Sequence, residues 1–307
     1  MTKYILGLIM AFTTPVLSSA CDICGCGAGN NYIGILPEFR KQVFGIRYRY
    51  NTLQSHVGIN GSTTYLTTRE NYHSIEAWGG WNIRKNIRLM ISVPYNVNER
   101  INQGITKSKS GLGDISLWGY YQLLNKRKTV FKKKLLVQTL WMGAGLKLPS
   151  GKYNVSDKTN GSDNVNLFQL GTGSIDFNTG LMYDIRLQDL GMNVTANYKI
   201  NTNNKYDYRY GNKVNLNAQL YYKINIKNKV TVAPNAGLQY EYSKLDSDKG
   251  LSVSVSGGEL FSGIAGMEIT FKKLAVGFNY QTQLNQQLAL GIVKAGNRLM
   301  VHCAITL

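Results

Sequence analysis

Most of the chain consists of segments of about ten residues in which apolar and polar side chains alternate. In one of them, Val214, Leu216 and Ala218 alternate with Asn215 and Asn217. A period of two is the pattern of a β-strand, because successive side chains of a strand point to opposite faces, whereas a helix requires a period near 3.6 residues. The twelve segments lie at residues 42–51, 72–82, 87–97, 112–124, 135–147, 174–185, 190–201, 214–226, 230–242, 260–271, 274–282 and 297–307. The chain is therefore predicted to be all-β.

The connections between these segments alternate between long and short. The long connections lie at residues 52–71, 98–111, 148–173, 202–213, 243–259 and 283–296. The short connections lie at residues 83–86, 125–134, 186–189, 227–229 and 272–273. An up-and-down outer-membrane barrel has long outer loops, short periplasmic turns and an even number of strands. We therefore expect residues 42–307 to form a closed antiparallel up-and-down transmembrane β-barrel of about twelve strands, surrounded by outer-membrane lipid. A soluble β-sheet is the alternative.

The N-terminus has the three parts of a secretory signal peptide. Lys3 is followed by an apolar run at residues 4–12 and then by small residues at positions 18–20. The apolar run is too short to cross a bilayer, and this layout is typical of a signal that is cleaved on export. We expect residues 1–20 to be removed and residues 21–41 to lie in the periplasm. The barrel-assembly machinery is expected to insert the remainder into the outer membrane of a Gram-negative-type envelope.

The positive charge is spread over the short connections. Lys and Arg number 35 against 17 Asp and Glu, which gives a formal net charge of +18. A nucleic-acid site concentrates basic residues in one patch, and a single-strand site adds aromatic stacking platforms. Here the basic residues are distributed over five separate turns, as at Lys85, Lys227 and Lys272. Long basic side chains at a barrel rim can reach lipid headgroups or keep tight turns soluble. We therefore expect these residues to form a ring at one rim of the barrel, and we expect no nucleic-acid partner.

Charged residues within the segments have the parity opposite to the apolar face. A charge that faces the bilayer midplane costs about 2–4 kcal/mol, so these side chains are expected to face the lumen. The candidates for lining a solute path are Arg47, Arg49, Glu76, Arg88, Asp114, Asp176, Lys199 and Glu241. Asp114 and Asp176 are expected either to bind solute or, with greater weight, to pair with the inner-face arginines, since buried charges need partners. Acidic and basic residues balance on this face, which favours a neutral or weakly polar solute.

Three cysteines stand close together at the predicted start of the exported protein. Cys21, Cys24 and Cys26 form a C-x-x-C-x-C cluster. Three thiols at this spacing can bind a soft ion such as Cu(I) or Zn(II). An exported location also allows a disulfide between two of them, and lipidation of Cys21 is a third alternative. No cofactor is expected in the barrel, and copper or zinc is expected only if these cysteines bind metal.

Three short glycine-containing motifs occur in order along the chain. They are GLGDISL at residues 111–117, LKLPSG at residues 146–151 and QLGTGSID at residues 169–176. Together they resemble the MetA-pathway of phenol degradation family of outer-membrane β-barrel proteins, over roughly residues 85–307. The resemblance implies an outer-membrane transport role, related in broad terms to channels for hydrophobic compounds. It implies no particular substrate.

The leading hypothesis is a porin-like outer-membrane transporter or channel for a small solute, with hydrophobic and aromatic solutes included. The first alternative is a metal-handling protein in which the cysteine cluster captures a soft ion below the pore. The second is an outer-membrane lipid hydrolase, which needs a serine activated by a histidine near the lipid. His56 and His73 lie in or beside a long connection, and His302 is expected to point inward. No such pair is visible, and no enzymatic activity is expected.

Overall fold

The computed structural model describes residues 42–58, 61–130, 134–157, 166–227 and 229–307. Within these residues, twelve long strands follow one another along the chain. They are β1 (Val43–Ser55), β2 (Thr68–Arg84), β3 (Ile87–Asn102), β4 (Ile115–Val130), β5 (Lys134–Leu148), β6 (Asp176–Leu187), β7 (Leu190–Ile200), β8 (Lys213–Tyr222), β9 (Val230–Ser243), β10 (Gly258–Phe271), β11 (Leu274–Leu288) and β12 (Lys294–Thr306). Each predicted segment overlaps one of these strands, so the all-β prediction is confirmed.

The strands form a closed antiparallel barrel. Each strand pairs with its neighbours in sequence, and β12 returns to β1, where His302 lies opposite Arg47. Each of the twelve strands therefore has a partner on both sides. Closure pairs the backbone groups that a free sheet edge would leave open, and β-structure in lipid requires this. The predicted closed up-and-down barrel is confirmed.

The long and short connections also alternate in the structure. The turns at residues 85–86, 188–189 and 272–273 lie at one end of the barrel, which we call the short-turn end. The opposite end, the long-loop end, contains β-structure that the sequence pattern did not predict. The strand Ile105–Leu112 pairs with the upper part of β3. This segment has no apolar face, so it lacks the alternation of apolar and polar residues that predicts a strand. It forms a strand because the extended end of β3 provides a hydrogen-bonding partner.

The long-loop end carries a second addition to the barrel. Three short strands, Tyr208–Arg209, Asp246–Asp248 and Leu251–Val253, form a separate small sheet from two different connections. Two connections that are distant in sequence are thereby joined above the barrel wall. None of these strands is long enough to show alternation, which explains why the sequence predicted plain loops.

The two faces of the barrel wall are opposite in character. Arg88 is fully buried on the inner face, while its neighbour Leu89 is 44% exposed on the outer face. Ile46, Leu181 and Leu216 are likewise exposed, each on an outward-facing strand position. A soluble protein buries such side chains, whereas a barrel in lipid presents them outward. Within the described ranges, no helix combines the length and the hydrophobicity that a membrane-crossing helix needs.

Candidate functional site

The charged residues of the inner wall pair with one another. Glu76 on β2 accepts a hydrogen bond from Arg49 at 2.8 Å and lies 3.6 Å from the guanidinium of Arg47, both on β1. Glu241 on β9 pairs with Arg298 on β12, and the two nitrogen–oxygen distances are 2.8 and 3.2 Å. Three arginines thus pair with two glutamates, so most of the charge on these parts of the inner wall is compensated.

A second charged cluster lies at the long-loop end. Lys147 on β5 is 2.6 Å from Asp114 and 2.8 Å from Asp176, and Lys199 on β7 is 3.2 Å from Asp176. The two aspartates therefore pair with lysines, and the expectation that they would pair with the inner-face arginines was wrong. Lys147 was not among the sequence candidates. Lys147 lies between Leu146 and Leu148, at a position of β5 whose side chain faces the lumen. The alternation of this segment therefore contains the signal that Lys147 lines the lumen.

The long connection between β5 and β6 folds back into the mouth of the barrel. Its residues 166–174 are mostly buried. Two wall amides hold its backbone: Asn96 donates to the carbonyl of Leu170 at 3.1 Å, and Asn98 donates to the carbonyl of Gln169 at 2.9 Å. We call residues 166–174 the inward segment. The sequence predicts an outer loop at residues 148–173, and its inward turn is a finding of the structure.

Phe168 anchors the inward segment between two cations. The guanidinium of Arg100 lies 4.4 Å from the centre of the phenyl ring, and the ammonium of Lys109 lies 4.5 Å from it. Lys109 also donates to the Phe168 carbonyl at 2.7 Å and bonds to Asp157. Cation–π contacts strengthen when they are desolvated. Lys109 lies on the strand Ile105–Leu112, outside the barrel wall. Burial lowers its pKa, and the hydrogen bond to Asp157 opposes that shift.

Asp114 joins the inward segment to the wall. Its carboxylate accepts hydrogen bonds from the backbone nitrogen of Thr172 at 2.8 Å and from that of Gly151 at 3.0 Å, in addition to its ion pair with Lys147. Lys147 bonds to the hydroxyl of Thr172 as well. One carboxylate and one ammonium therefore hold both ends of the long connection against β4 and β5.

Aromatic side chains lie flat against the inner wall of β4 and β5, two to four residues farther from the long-loop end than Lys147. Trp118 and Tyr120 on β4 stack with ring centres 5.5 Å apart. They cover two inner-face glycines of β5: a Cβ atom on Gly145 would lie 2.7 Å from the Trp118 ring, and one on Gly143 would lie 2.5 Å from the Tyr120 ring. The missing side chains leave room for the rings to lie along the wall. Further aromatic and apolar residues complete this strip, namely Trp78, Met90 and Trp141.

Replacing Gly143 by Ala is expected to destabilise the barrel by about 1–3 kcal/mol, because the added methyl group meets the buried Tyr120 ring and overpacking costs this much. Gly119→Ala is the matched control, since its Cβ would have only ordinary contacts, the nearest at 3.7 Å. Urea unfolding of both variants in lipid vesicles measures the difference. Equal stability of the two variants would contradict the flat arrangement of Tyr120.

The opposite arc of the barrel, from β8 to β11, is lined by amides. Asn215, Gln219, Asn235, Asn279 and Gln281 are all buried on the inner face. The sequence candidates for the lumen were charged residues only, so this arc was missed. Its signal was present in the alternation, because Asn and Gln recur on one parity of β8, β9 and β11.

The remaining sequence candidates concern metal and histidine chemistry. Cys21, Cys24 and Cys26 lie outside the described residues, so metal binding there stays a prediction. Among the residues that are described, no group of three or more His, Cys, Asp or Glu side chains could hold a metal ion. His73 faces outward, and its Nδ1 lies 2.8 Å from the hydroxyl of Tyr48.

Comparison with known proteins identifies the architecture. No family model matches the chain, and no curated protein matches its sequence. Among solved structures, the COG4313 outer membrane channel from Pseudomonas putida F1 is similar with a TM-score of 0.60 and 14% identity, covering 92% of this chain and 100% of that one. The β domain of the Bordetella autotransporter Brka is similar with a TM-score of 0.50 and 12% identity, covering 87% and 100%. At these identities the likeness concerns the fold, and the chain shares the closed barrel architecture of outer-membrane proteins.

Proposed function

We propose that this protein is an outer-membrane channel that carries a small, neutral or weakly polar solute across the membrane. The observation that carries the proposal is the reversed wall, with apolar side chains outside and polar or charged side chains inside a closed barrel. Such a wall is stable when lipid surrounds the barrel and a polar path runs through it. The resemblance to the MetA-pathway of phenol degradation family and the likeness to a solved outer-membrane channel support the same role.

The charge arrangement supports a solute without strong charge. The carboxylates of Glu76, Glu241 and Asp176 each lie 2.8 Å from a basic side chain. A path lined by compensated charges exerts little selective attraction on an ion, since unpaired rings of one sign are what select ions in channels. The aromatic strip around Trp118 offers a flat apolar surface for a hydrophobic or aromatic part of the solute.

Planar-bilayer recording tests the channel. The purified full-length protein is expected to give a stable unitary conductance with little preference between cations and anions. Phenol, added to one side, is expected to reduce the current reversibly if an aromatic solute enters the path. Folded protein that inserts into the bilayer and never conducts would refute the channel proposal, and strong ion selectivity would refute the neutral solute.

The N-terminal region belongs to the same proposal. We infer that residues 1–20 direct export and that residues 21–41 precede the barrel in the periplasm, where Cys21, Cys24 and Cys26 would be available to copper or zinc. These residues lie outside the described part of the chain, and the support comes from the sequence pattern alone. Mass spectrometry of the exported protein, with and without a chelator, measures both the cleavage site and any bound metal.

A further inference from the structure

The amides of the β8–β11 arc retain polar atoms without hydrogen-bond partners. These atoms are Oδ1 of Asn215, Oε1 of Gln219, Nδ2 and Oδ1 of both Asn235 and Asn279, and Nε2 of Gln281. Each of the five residues is at least nine-tenths buried. A buried polar atom without a partner is costly, and most buried polar groups in proteins are satisfied. Seven such atoms lie on this arc, and they include both donors and acceptors, so the arc can hydrogen-bond a ligand in the lumen.

The geometry places the amides along a continuous surface. In the strand register, Gly266 of β10 lies opposite Asn235 of β9 on one side and opposite Asn279 of β11 on the other. The Oδ1 of Asn279 occupies the space that a side chain at Gly266 would fill. Gln219 covers Gly237 in the same manner. The glycines thus allow the amide side chains to lie along the inner wall of this arc.

The chemistry of this arc matches a neutral ligand that both donates and accepts hydrogen bonds. The unpartnered atoms include amide nitrogens, which donate, and amide oxygens, which accept. A cation would use only the oxygens, and an anion would use only the nitrogens. The nearby carboxylates are already engaged, because Glu241 pairs with Arg298 and Glu268 also has a partner. Hydroxyl groups satisfy both kinds of amide atom at once.

The facing arc supplies the complementary surface. In the ring of twelve strands, β2 to β5 lie across the barrel from β8 to β11. That arc carries the aromatic strip that includes Trp78, Trp118 and Tyr120. Binding sites for small molecules commonly combine aromatic surface with a few convergent polar groups. A ring-shaped molecule with apolar faces and a hydroxylated edge has groups complementary to both arcs.

We propose that the amide arc, formed by Asn215, Gln219, Asn235, Asn279 and Gln281, binds a neutral polyhydroxylated solute such as a cyclic polyol or a monosaccharide. The proposal rests on the proposed channel function and names the class of solute that the channel would carry. The five amides bind the hydroxyl groups, and the aromatic strip contacts the apolar face of the ring.

Equilibrium binding of glucose to the detergent-solubilised full-length protein tests the site. Three of the tryptophans, Trp78, Trp118 and Trp141, lie on the inner wall, so their fluorescence reports occupancy. Glucose is expected to bind saturably, and cyclohexanol, a ring of similar size with a single hydroxyl group, is expected to bind about tenfold more weakly. Inorganic phosphate is expected not to bind. The proposal would be overturned if cyclohexanol or phosphate bound as tightly as glucose, or if glucose did not bind saturably. Both outcomes can be measured on the wild-type protein alone.

Matched variants locate the ligand on the arc. Gln281→Met and Asn279→Leu are each expected to weaken glucose binding about tenfold. Gln283→Met is the control, because Gln283 lies on the same strand but accepts from Ser262 at 2.5 Å and donates to the Gly296 carbonyl at 2.8 Å. It is expected to change binding by less than about twofold. Equal effects of all three variants would overturn the assignment to the amide arc.

The conductance of the same preparation separates this proposal from the channel function. Glucose binding by a protein that never conducts would leave the site standing and refute the channel. Conductance without glucose binding would leave the channel standing and refute the site. Heat-modifiable migration in gels verifies that each variant is folded before its binding is measured.

Discussion

Replacing Lys147 by Met is expected to destabilise the folded barrel by about 3 kcal/mol and to increase its ionic conductance. The ammonium is almost fully buried and lies 2.6 Å from Asp114 and 2.8 Å from Asp176. Removing one partner of a buried ion pair leaves an uncompensated charge, which typically costs about 3–5 kcal/mol. The lower end of that range applies because Lys199 still compensates Asp176. Urea unfolding in lipid vesicles measures the stability.

The conductance change follows from the position of the ion pair. Asp114 holds the backbone of Thr172 in the inward segment, so the loss of Lys147 weakens the attachment of that segment to the wall. Lys152→Met is the control, since Lys152 lies in the same connection but is exposed. It is expected to change neither stability nor conductance. The double variant Lys147→Met, Asp114→Asn should recover part of the stability, because no unpaired carboxylate remains at Asp114. A conductance that stays at the wild-type value in Lys147→Met would show that the segment does not limit the current.

Replacing Leu181 by Arg is expected to cost about 2–4 kcal/mol, the range measured for a cation at the midplane on the lipid face of a barrel. Leu181 is 46% exposed and lies near the middle of β6. Leu190→Arg is the matched control, because Leu190 has the same outward direction but adjoins the turn at residues 188–189. Near the interface the same substitution costs about 0–1 kcal/mol.

The comparison of these two variants tests the membrane assignment directly. Folding into lipid vesicles, followed by urea unfolding, gives the free energy of each variant. A soluble barrel would respond about equally to both substitutions, since water would solvate arginine at either depth. Equal costs would therefore contradict the position of the apolar outer face in lipid.

The strand pattern was readable from the sequence because it is local. Whether a side chain faces the lumen follows from its parity in a segment of about ten residues, as for Arg88 beside Leu89, and neighbouring strands need not be known. The placement of the charged candidates on the inner parity followed from the same rule. The alternation did not predict the short strand Ile105–Leu112, because that segment has no apolar face and its strand pairing depends on the extension of β3.

The contacts within the lumen were not readable in this way. Asn96 and the carbonyl of Leu170 are 74 positions apart in the chain, and Lys147 is 33 positions from Asp114. Their meeting depends on barrel closure and on the register of several strands, neither of which alternation encodes. The sequence therefore predicts arginine partners for Asp114 and Asp176, whereas the structure pairs them with Lys147 and Lys199.

The sequence by itself determined the number of strands, their up-and-down order and the face on which each side chain lies, because a period of two and the length of each connection are properties of short stretches of chain. Only the tertiary structure decided which inner side chains pair, that residues 166–174 fold into the mouth, and that amides and aromatic rings line opposite arcs. The physical reason is that these arrangements arise when twelve strands close into one ring and bring together side chains that no local pattern connects.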